Sequence, residues 1–445
     1  MLTEDRTDTI FALASGVGRA AIAVIRVSGA MAESALKTLM RGRTPPARRA
    51  SLRMLFDPAT HEPLDNALVV LFPGPQSFTG ETIVEIDVTG GRAVVQATLS
   101  ALARIPGLRP ADPGEFAWRA FLNGKLDLSS VEGLADLVDA ETAAQRRQAL
   151  RLAGGELRGL ADAIRLDFVE ATALIEAQID FSDVEDAQDL SLAGARSIIA
   201  RAAARIRQAL AGGESARRVR EGFTVVVAGA PNAGKSTLIN ALSRRDVAIV
   251  SPIPGTTRDA IEVFLEIDGL PVTLIDTAGI RRTQDPIESE GVRRTERHMR
   301  SADMTLWLRA PDGMGPMESS APIETGSDTY IVETKADIRM GIASVGAIGV
   351  SAKTGEGLDA LKALITARAG GDSSAHGSLI AHERHRLAFR DALKALERAM
   401  DSRQSEPELI AEDLRLASRA LQRVAGRVDV EDVLDSIFAR LCVGK

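Results

Sequence analysis

Residues 229 to 236 read Gly229-Ala230-Pro231-Asn232-Ala233-Gly234-Lys235-Ser236, a stretch rich in glycine and small residues that ends in lysine and serine. The apolar run 223–228 precedes the loop, and a helix-forming run, 237–242, follows it. A strand, a glycine-rich loop and a helix in this order are typical of a phosphate-binding loop, because backbone N–H groups and the helix N-terminus then face anionic phosphate. The alternative is an ordinary glycine turn, and the motifs farther along the chain decide against it.

The roles of the loop residues follow from the chemistry of a nucleoside triphosphate. Lys235 can reach the β- and γ-phosphates and assist catalysis, and the Ser236 hydroxyl can hold Mg²⁺. The other predicted nucleotide-binding residues of the loop are Gly229, Asn232, Ala233, Gly234 and Thr237.

Two further motifs complete the predicted phosphate and metal site. Residues 255–259 read Gly-Thr-Thr-Arg-Asp and suit a switch loop, in which Thr257 joins the Mg²⁺ shell once a γ-phosphate is present. Residues 276–279 read Asp-Thr-Ala-Gly after an apolar run. Asp276 can bind the water shell of the metal, and the Gly279 N–H can sense the γ-phosphate.

Two more motifs predict that the base is guanine. Thr334-Lys335-Ala336-Asp337 and Ser351-Ala352-Lys353 each follow an apolar run. Asp337 can accept hydrogen bonds from N1 and N2 of guanine, and residues 351–353 can present N–H groups to the base. Thr334 stands where asparagine is usual, and its hydroxyl offers fewer hydrogen bonds than an amide. Ligands bind at the carboxyl ends of strands in open α/β sheets, so these motifs at successive strand ends predict one GTP site.

The expected hydrolytic machinery differs from that of Ras-like GTPases. Ile280 occupies the position after Asp-x-x-Gly, where a glutamine orients water in Ras. Asn232 is a candidate ligand for a monovalent cation. Glu288 is a candidate for positioning water, although a carboxylate on a solvated switch helix is the commoner role for such a residue.

Strings outside the GTP motifs resemble the MnmE (TrmE) family of tRNA-modification GTPases along essentially the whole chain. They are Asp8-Thr9-Ile10, Ile25 to Gly29, Phe72 to Pro75, Ser77 to Glu81, Pro113 to Phe116, Arg119 to Leu128 and the ending Cys442-Val443-Gly444-Lys445. The GTP motifs alone would also suit Era-like and ribosome-assembly GTPases.

The resemblance implies a folate site in the N-terminal region. A 5-formyl-tetrahydrofolate or related folate would bind at Arg26, Glu85, Lys125 and Lys445, with cations pairing folate carboxylates and Glu85 accepting from pterin N–H groups. Each residue also has an ordinary interpretation as a surface or strand-end charge. The family motif after Glu85 ends His-Gly-Gly, whereas this chain has Thr89-Gly90-Gly91.

The resemblance also implies K⁺-stimulated GTP hydrolysis by paired GTPase domains of a homodimer. The implied K⁺ positions are Asn232, Ser251, Ile253 and Thr256, the implied Mg²⁺ positions are Ser236 and Thr257, and Glu288 matches the water-positioning glutamate. The implied partners are an FAD-dependent MnmG-like flavoprotein and tRNA, whose wobble uridine would be modified at C5. The competing hypothesis is a regulatory GTPase in ribosome assembly.

Composition constrains the class of protein. The chain has 445 residues, 45% of them hydrophobic and 3% aromatic, and a net charge of −7, which argues against a broadly basic nucleic-acid surface. The arginine-rich run 196–220 is a possible local patch, although a solvated helix face is the commoner interpretation. Cys442 is the one cysteine, which is typical of a reducing cytoplasm. No membrane-spanning run or signal peptide is expected.

The periodicity of hydrophobic residues changes along the chain, which predicts a multidomain protein with α/β and α+β domains. Residues 1–120 are predicted to form an α+β domain, which the family resemblance implies to bind folate and to dimerise. Residues 121–215 and 371–445 are predicted to form a helical domain, since Leu157, Leu160, Ile164, Phe168, Ala171 and Ile175 share one helical stripe. A P-loop GTPase domain, residues 216–370, is inserted between the two halves, with a hairpin turning at Asp268-Gly269.

Overall fold

The computed structural model describes residues 8–180, 185–230, 232–245, 248–249, 261–276, 302–311, 328–338, 344–370, 378–401, 406–426, 428, 437–438, 441 and 444. The chain divides into two compact units. The first comprises residues 1–135, 152–165 and 418–445, and the second comprises residues 136–151 and 166–417.

The first unit contains a six-stranded sheet. Its strands are β1 (Thr9–Leu13), β2 (Ile22–Ser28), β3 (Ser51–Phe56), β4 (Pro63–Phe72), β5 (Ile83–Thr89) and β6 (Leu108–Pro110), in the order β3-β4-β5-β2-β1-β6. Only the β1–β6 pair is parallel. Helices α1 (Ala32–Leu39) and α2 (Arg92–Ala103) bury Leu36 and Leu102 in one apolar core with Val27, Val69 and Ile86 of the strands. Alternating burial along β5 therefore leaves Glu85 and Asp87 on the other face of the sheet.

Helices follow the first sheet, as the change of hydrophobic period predicts. They are α3 (Glu115–Leu122), α4 (Leu128–Asp139), α5 (Ala143–Ala153), α6 (Glu156–Asp180), α7 (Glu185–Ala211) and α8 (Gly213–Glu221). The predicted stripe of α6 is buried at Leu157, Ile164, Phe168 and Ile175.

The second sheet has seven strands. They are β7 (Phe223–Gly229), β8 (Ala248–Ile249), β9 (Ile261–Ile267), β10 (Leu270–Asp276), β11 (Met304–Arg309), β12 (Asp328–Glu333) and β13 (Ile348–Gly349), in the order β13-β12-β11-β7-β10-β9-β8. The strands from β13 to β10 are parallel to their neighbours, and β9 and β8 are antiparallel. The predicted hairpin is confirmed: Asp268 and Gly269 both have positive φ, 51° and 83°, as a two-residue turn of the I′ type requires.

Helices α9 (Lys235–Arg245) and α10 (Leu358–Arg368) contribute to the core of this sheet. Two long helices follow in the chain, α11 (Glu383–Ala399) and α12 (Pro407–Ala425). Since α11 packs along α7, the helices before and after the second sheet pair with each other. A P-loop-type α/β domain is thus inserted into a helical one, which confirms the predicted fold class. Within the described ranges, no helix combines the length and apolar character needed to cross a bilayer.

Candidate functional site

The glycine-rich loop leaves the carboxyl end of β7 and enters α9. Gly229 has φ 145°, and a Cβ at that position would lie 2.5 Å from the carbonyl oxygen of Leu308, so a side chain would push the loop away from β11. Asn232 and Gly234 also have positive φ, 65° and 89°. These conformations wrap the loop tightly, as a phosphate-cradling loop requires.

Lys235 lies across the inside of this loop. Its ammonium group donates to the carbonyl oxygens of Gly229 and Ala230, at 2.8 and 2.9 Å. Burial lowers the pKa of Lys235 from its ordinary value, and the nearby Asp276 carboxylate acts against that shift. The buried ammonium group thus has carbonyl oxygens as partners, which phosphate oxygens can replace when a nucleotide binds.

Ser236 and Asp276 meet at the next strand end, because β10 runs parallel to β7 in the sheet. The Ser236 hydroxyl donates to Asp276 Oδ2 at 2.7 Å, and Asp276 is only 3% exposed. One hydroxyl and one carboxylate on neighbouring strand ends form the oxygen-rich donor set that Mg²⁺ prefers. Thr237 follows in the first turn of α9.

Thr334 has a role that its sequence position alone does not reveal. It is buried at the end of β12, and its hydroxyl lies 2.8 Å from the carbonyl oxygen of Ala233 and 3.1 Å from that of Arg309. The hydroxyl thus connects the strand carrying the base motif to the backbone of the phosphate loop. Its donor capacity is used inside the protein rather than on the base.

We expect Thr334→Val to weaken GTP and GDP to the same extent, about fivefold, since a buried hydrogen bond contributes about 1 kcal/mol and the isosteric side chain keeps the packing. Calorimetric titration of both nucleotides measures this. Thr334→Ser, which keeps the hydroxyl, is the control. A loss specific to guanine over other bases would contradict the bracing role.

The base motif places an acceptor at the rim of the same edge. Asp337 is exposed in the short 3₁₀ turn Ala336–Ile338, and the Ser351 hydroxyl donates to its Oδ1 at 2.7 Å. Ser351 is fully buried and begins the turn after β13, with Ala352 and Lys353 next in the chain. Lys335 has φ 56°, a left-handed conformation that turns the chain between Thr334 and Asp337.

Several predicted residues lie outside the described ranges. They are Ser251, Ile253, Thr256, Thr257, Gly279, Ile280, Glu288, Cys442 and Lys445. Their roles remain predictions from sequence.

In the first unit, Arg26 and Glu85 face each other across β2 and β5. Arg26 donates to Glu85 Oε1 through Nε at 3.1 Å and Nη2 at 2.8 Å, and through Nη1 to the carbonyl oxygen of Gly444 at 3.1 Å. The rings of Phe78 and Phe116 lie 5.6 and 5.8 Å from its guanidinium. Residues distant in sequence thus meet at one half-buried pair of charges.

The position of Lys125 is different. It is exposed in the turn after α3 and lines a cavity of about 290 Å³, whose other charged residues are Asp127, Arg158 and Asp162.

Thr89, which replaces the family histidine, donates through its N–H to Asp65 at 2.6 Å. Asp87, two residues from Glu85 on the same face, has a raised pKa because of burial and the neighbouring Glu85 carboxylate.

Sequence reasoning missed a network of charged side chains in the first unit, centred on Arg119. Arg119, 4% exposed, donates to Asp8, Glu81 and Glu115, and Arg109 donates to Asp8 and Glu115. Burial alone would raise the pKa of Glu115, but hydrogen bonds from Arg109 and from the Asp112 N–H hold it below its ordinary value. Four of the strings quoted for the family resemblance, those containing Asp8, Glu81, Glu115 and Arg119, therefore meet in one cluster. Neither the composition of these strings nor their spacing along the chain signals that contact.

Comparison with known proteins identifies the family to which this chain belongs. Residues 9–125 match the family described as the GTP-binding protein TrmE N-terminus, and residues 128–442 match the MnmE helical domain. The tRNA modification GTPase MnmE of Methylobacterium sp. (strain 4-46) is 52% identical over 448 residues, covering 99% of this chain and 100% of the relative. The protein of the same name from Methylorubrum populi is 52% identical over 445 residues, covering 99% and 98%.

Among solved structures, an Era variant from Aquifex aeolicus bound to GDP and AlF₄⁻ is 26% identical. It covers 32% of this chain and 56% of its own, with a TM-score of 0.27, too low to bear on the assignment. The full-length identities and the two family matches settle it: the chain belongs to the MnmE family of tRNA-modification GTPases.

Proposed function

We propose that this protein is the K⁺-stimulated, GTP-hydrolysing component of an enzyme that modifies the wobble uridine of tRNA at C5, adding an aminomethyl or carboxymethylaminomethyl group. The observation that carries the proposal is the shared sheet edge. Lys235, the Ser236–Asp276 pair, Thr334 and the Asp337–Ser351 pair all follow carboxyl ends of parallel strands in a chain of the MnmE family.

The described residues suit GTP with Mg²⁺. Ser236 and Asp276 would hold the metal directly or through water, and the metal would neutralise charge on the β- and γ-phosphates. Lys235 would bind the phosphates, the loop from Gly229 to Thr237 would surround them, and residues 334–353 would bind the base. Thr257 and Gly279 are proposed to add the γ-phosphate contacts, and Glu288 to position the attacking water.

We propose that K⁺ replaces the arginine finger of other GTPases, with Asn232, Ser251, Ile253 and Thr256 as its ligands. The exposure of Asn232 in the loop supports this, since an exposed side-chain amide can offer its oxygen to a cation.

Hydrolysis should accordingly be severalfold faster in KCl than in NaCl at equal ionic strength, because a monovalent ion of the right size supplies the positive charge that develops in the transition state. Phosphate release measures the rate, and sedimentation in each salt controls for dimerisation. Equal rates in both salts at equal dimer content would rule out the K⁺ role.

A folate one-carbon donor, 5-formyl-tetrahydrofolate or a relative, is proposed to bind near Arg26 and Glu85. Both recorded bonds from Arg26 to Glu85 reach the same oxygen, Oε1. The other carboxylate oxygen can accept from the N–H groups of a pterin, and the guanidinium can attract a folate carboxylate. Lys125 and Lys445 are proposed to contribute further positive charge.

We propose a cytoplasmic homodimer that works with an FAD-dependent MnmG-like flavoprotein on tRNA. The face of the first sheet opposite α1 and α2 supports self-association, because large apolar side chains are exposed on its edge half. On the neighbouring edge strands β3 and β4, Leu52 is 59% exposed, Met54 44% and Leu68 38%. Exposed apolar groups on neighbouring strands mark an interaction surface.

The nucleoside content of tRNA from a deletion strain tests the function. Unmodified wobble uridine in the deletion strain, restored by the intact gene, is the expected result. Normal tRNA together with defective ribosomal subunits would support the alternative, a regulatory GTPase in ribosome assembly.

A further inference from the structure

The segment between the end of α1 and the end of β3 is positively charged, whereas the whole chain is negatively charged. Residues 40–56 contain five arginines and no aspartate or glutamate, in a protein whose net charge is −7. The arginines are Arg41, Arg43, Arg48, Arg49 and Arg53, called here the arginine edge. The segment contains no lysine.

None of these five guanidinium groups forms an ion pair with any carboxylate among the described residues. The acidic residues that flank the segment are engaged elsewhere: Glu33 with Lys37 at 2.8 Å and Asp57 with Arg104 at 2.7 Å. The positive charge of the arginine edge is therefore available to a partner.

The other arginine-rich run of the sequence, 196–220, is different. Arg201 pairs with Asp167 at 2.9 Å, Arg207 with Glu397 at 2.9 Å, and Arg217 with Glu214 at 2.6 Å. Ion pairs on α7 and α8 neutralise much of that run, whereas the arginine edge has no ion pair within the described part of the chain.

Two of the unpaired guanidinium groups are held in place. Arg41 lies 4.2 Å from the ring centroid of Phe56. Arg48 lies 5.8 Å from the ring of Phe72 and donates to the carbonyl oxygen of Gln76. The φ of Arg48 is 58°, a conformation that costs about 1 kcal/mol for a residue with a side chain. Contacts that fix a cation without neutralising it reduce the entropy lost when an anion binds.

The layout of the arginine edge is linear. Strand β3 is the outermost strand of its sheet. Arg48 lies three residues before β3, and its backbone N–H donates to the carbonyl oxygen of Leu71 on β4. Arg53 lies in the middle of β3, and Arg41 lies at its far end beside Phe56. Six strand residues span about 20 Å, a length that faces several successive phosphates of one nucleic-acid strand.

We propose that the arginine edge binds the sugar–phosphate backbone of tRNA, so that this chain contacts the RNA itself. Guanidinium groups match phosphate through paired N–H donors, which lysine cannot do, and all five cations here are arginine. Charges on an edge strand can also serve only to prevent edge-to-edge aggregation. That purpose does not require cations fixed on Phe56 and Phe72. The identity of the RNA rests on the proposed function, whereas the binding of a polyanion does not.

The test uses the full chain with Arg43→Gln, Arg49→Gln and Arg53→Gln combined, because these arginines form no ion pair with the described carboxylates and glutamine keeps part of the stem. Anisotropy of a labelled, unmodified tRNA transcript is measured over a range of KCl concentrations. We expect at least a tenfold loss of affinity near 0.1 M salt. The slope of log affinity against log salt should fall by about 2 to 3, since each lost phosphate contact removes about 0.7 to 0.9.

The matched control has the same net charge and combines Arg201→Gln, Arg207→Gln and Arg415→Gln. These three arginines are exposed on helices, and each of them already forms an ion pair. It should keep the affinity and the salt slope of the parent. GTP hydrolysis and sedimentation should be unchanged in both variants, which excludes misfolding and dimer loss.

Equal losses in both triple variants would show a general charge effect and overturn the proposal, as would unchanged tRNA affinity. Vesicles containing phosphatidylglycerol are tested in parallel. Loss of vesicle binding with unchanged tRNA binding would assign the edge to a membrane surface instead. Normal tRNA binding by the variant, with wobble modification still dependent on the protein, would refute only the arginine edge and leave the proposed function standing.

Discussion

Replacing Asp337 by asparagine should lower the affinity for GTP about 100-fold or more and create binding of xanthosine triphosphate. The aspartate is proposed to accept from N1 and N2 of guanine, and each hydrogen bond to a charged group contributes about 1.5–3 kcal/mol. Asparagine presents an NH₂ donor, which meets the carbonyl oxygen at C2 of xanthine but opposes the amino group of guanine. Competition binding with the two nucleotides measures the exchange of preference.

The structure supplies two controls for this experiment. Asp337→Ala should lose GTP without gaining the xanthine nucleotide. Ser351→Ala removes only the hydroxyl that donates to Asp337 Oδ1, so it should cost severalfold in GTP affinity and leave the preference for guanine intact. If Asp337→Asn kept the parent affinity for GTP, the base would have to be recognised by other residues.

The GTP site could be predicted largely from sequence because its signals are local. A loop such as 229–236 carries its glycines, lysine and serine within eight residues, and the turn at Asp268-Gly269 needs only its own two residues. Strand ends then collect such motifs at one sheet edge whenever the strands are parallel. The pairing of Ser236 with Asp276 follows from that topology, whereas the contact from the Thr334 hydroxyl to Ala233 is not evident from the sequence.

The first unit was less predictable because its contacts are long-range. The cluster around Arg119 joins residues from position 8 to position 119, and no periodicity or spacing connects them. Arg26 is paired with a strand neighbour 59 positions away and with a carbonyl 418 positions away. Only the fold determines which of many similar charges meet. The arginine edge was detectable as a run without acids, but its lack of partners follows from the positions of Glu33 and Asp57.

Gly444 also makes long-range contacts that the sequence does not signal. Gly444 is buried against the first sheet, and its carbonyl oxygen accepts from Arg26 Nη1 at 3.1 Å. A Cβ at position 444 would lie 2.2 Å from the Ala14 Cα and 2.5 Å from the Leu13 carbonyl oxygen, both backbone atoms that cannot move aside. Glycine is therefore required for this approach to Arg26.

Deleting residues 442–445 should weaken 5-formyl-tetrahydrofolate binding about 10- to 100-fold and abolish wobble-uridine modification, because Arg26, proposed to attract the folate, loses the Gly444 carbonyl oxygen that holds its guanidinium in place. Gly444→Ala should reproduce most of the loss with the tail still present, whereas Lys445→Ala should separate the contribution of the terminal ammonium. Calorimetric folate titration and nucleoside analysis measure the two effects. GTP affinity should be unchanged in all three variants, since the phosphate loop belongs to the other unit. Folate binding that survived both the deletion and Gly444→Ala would mean that the tail does not line the ligand site, and the Arg26–Glu85 pair would then hold a structural role in the sheet.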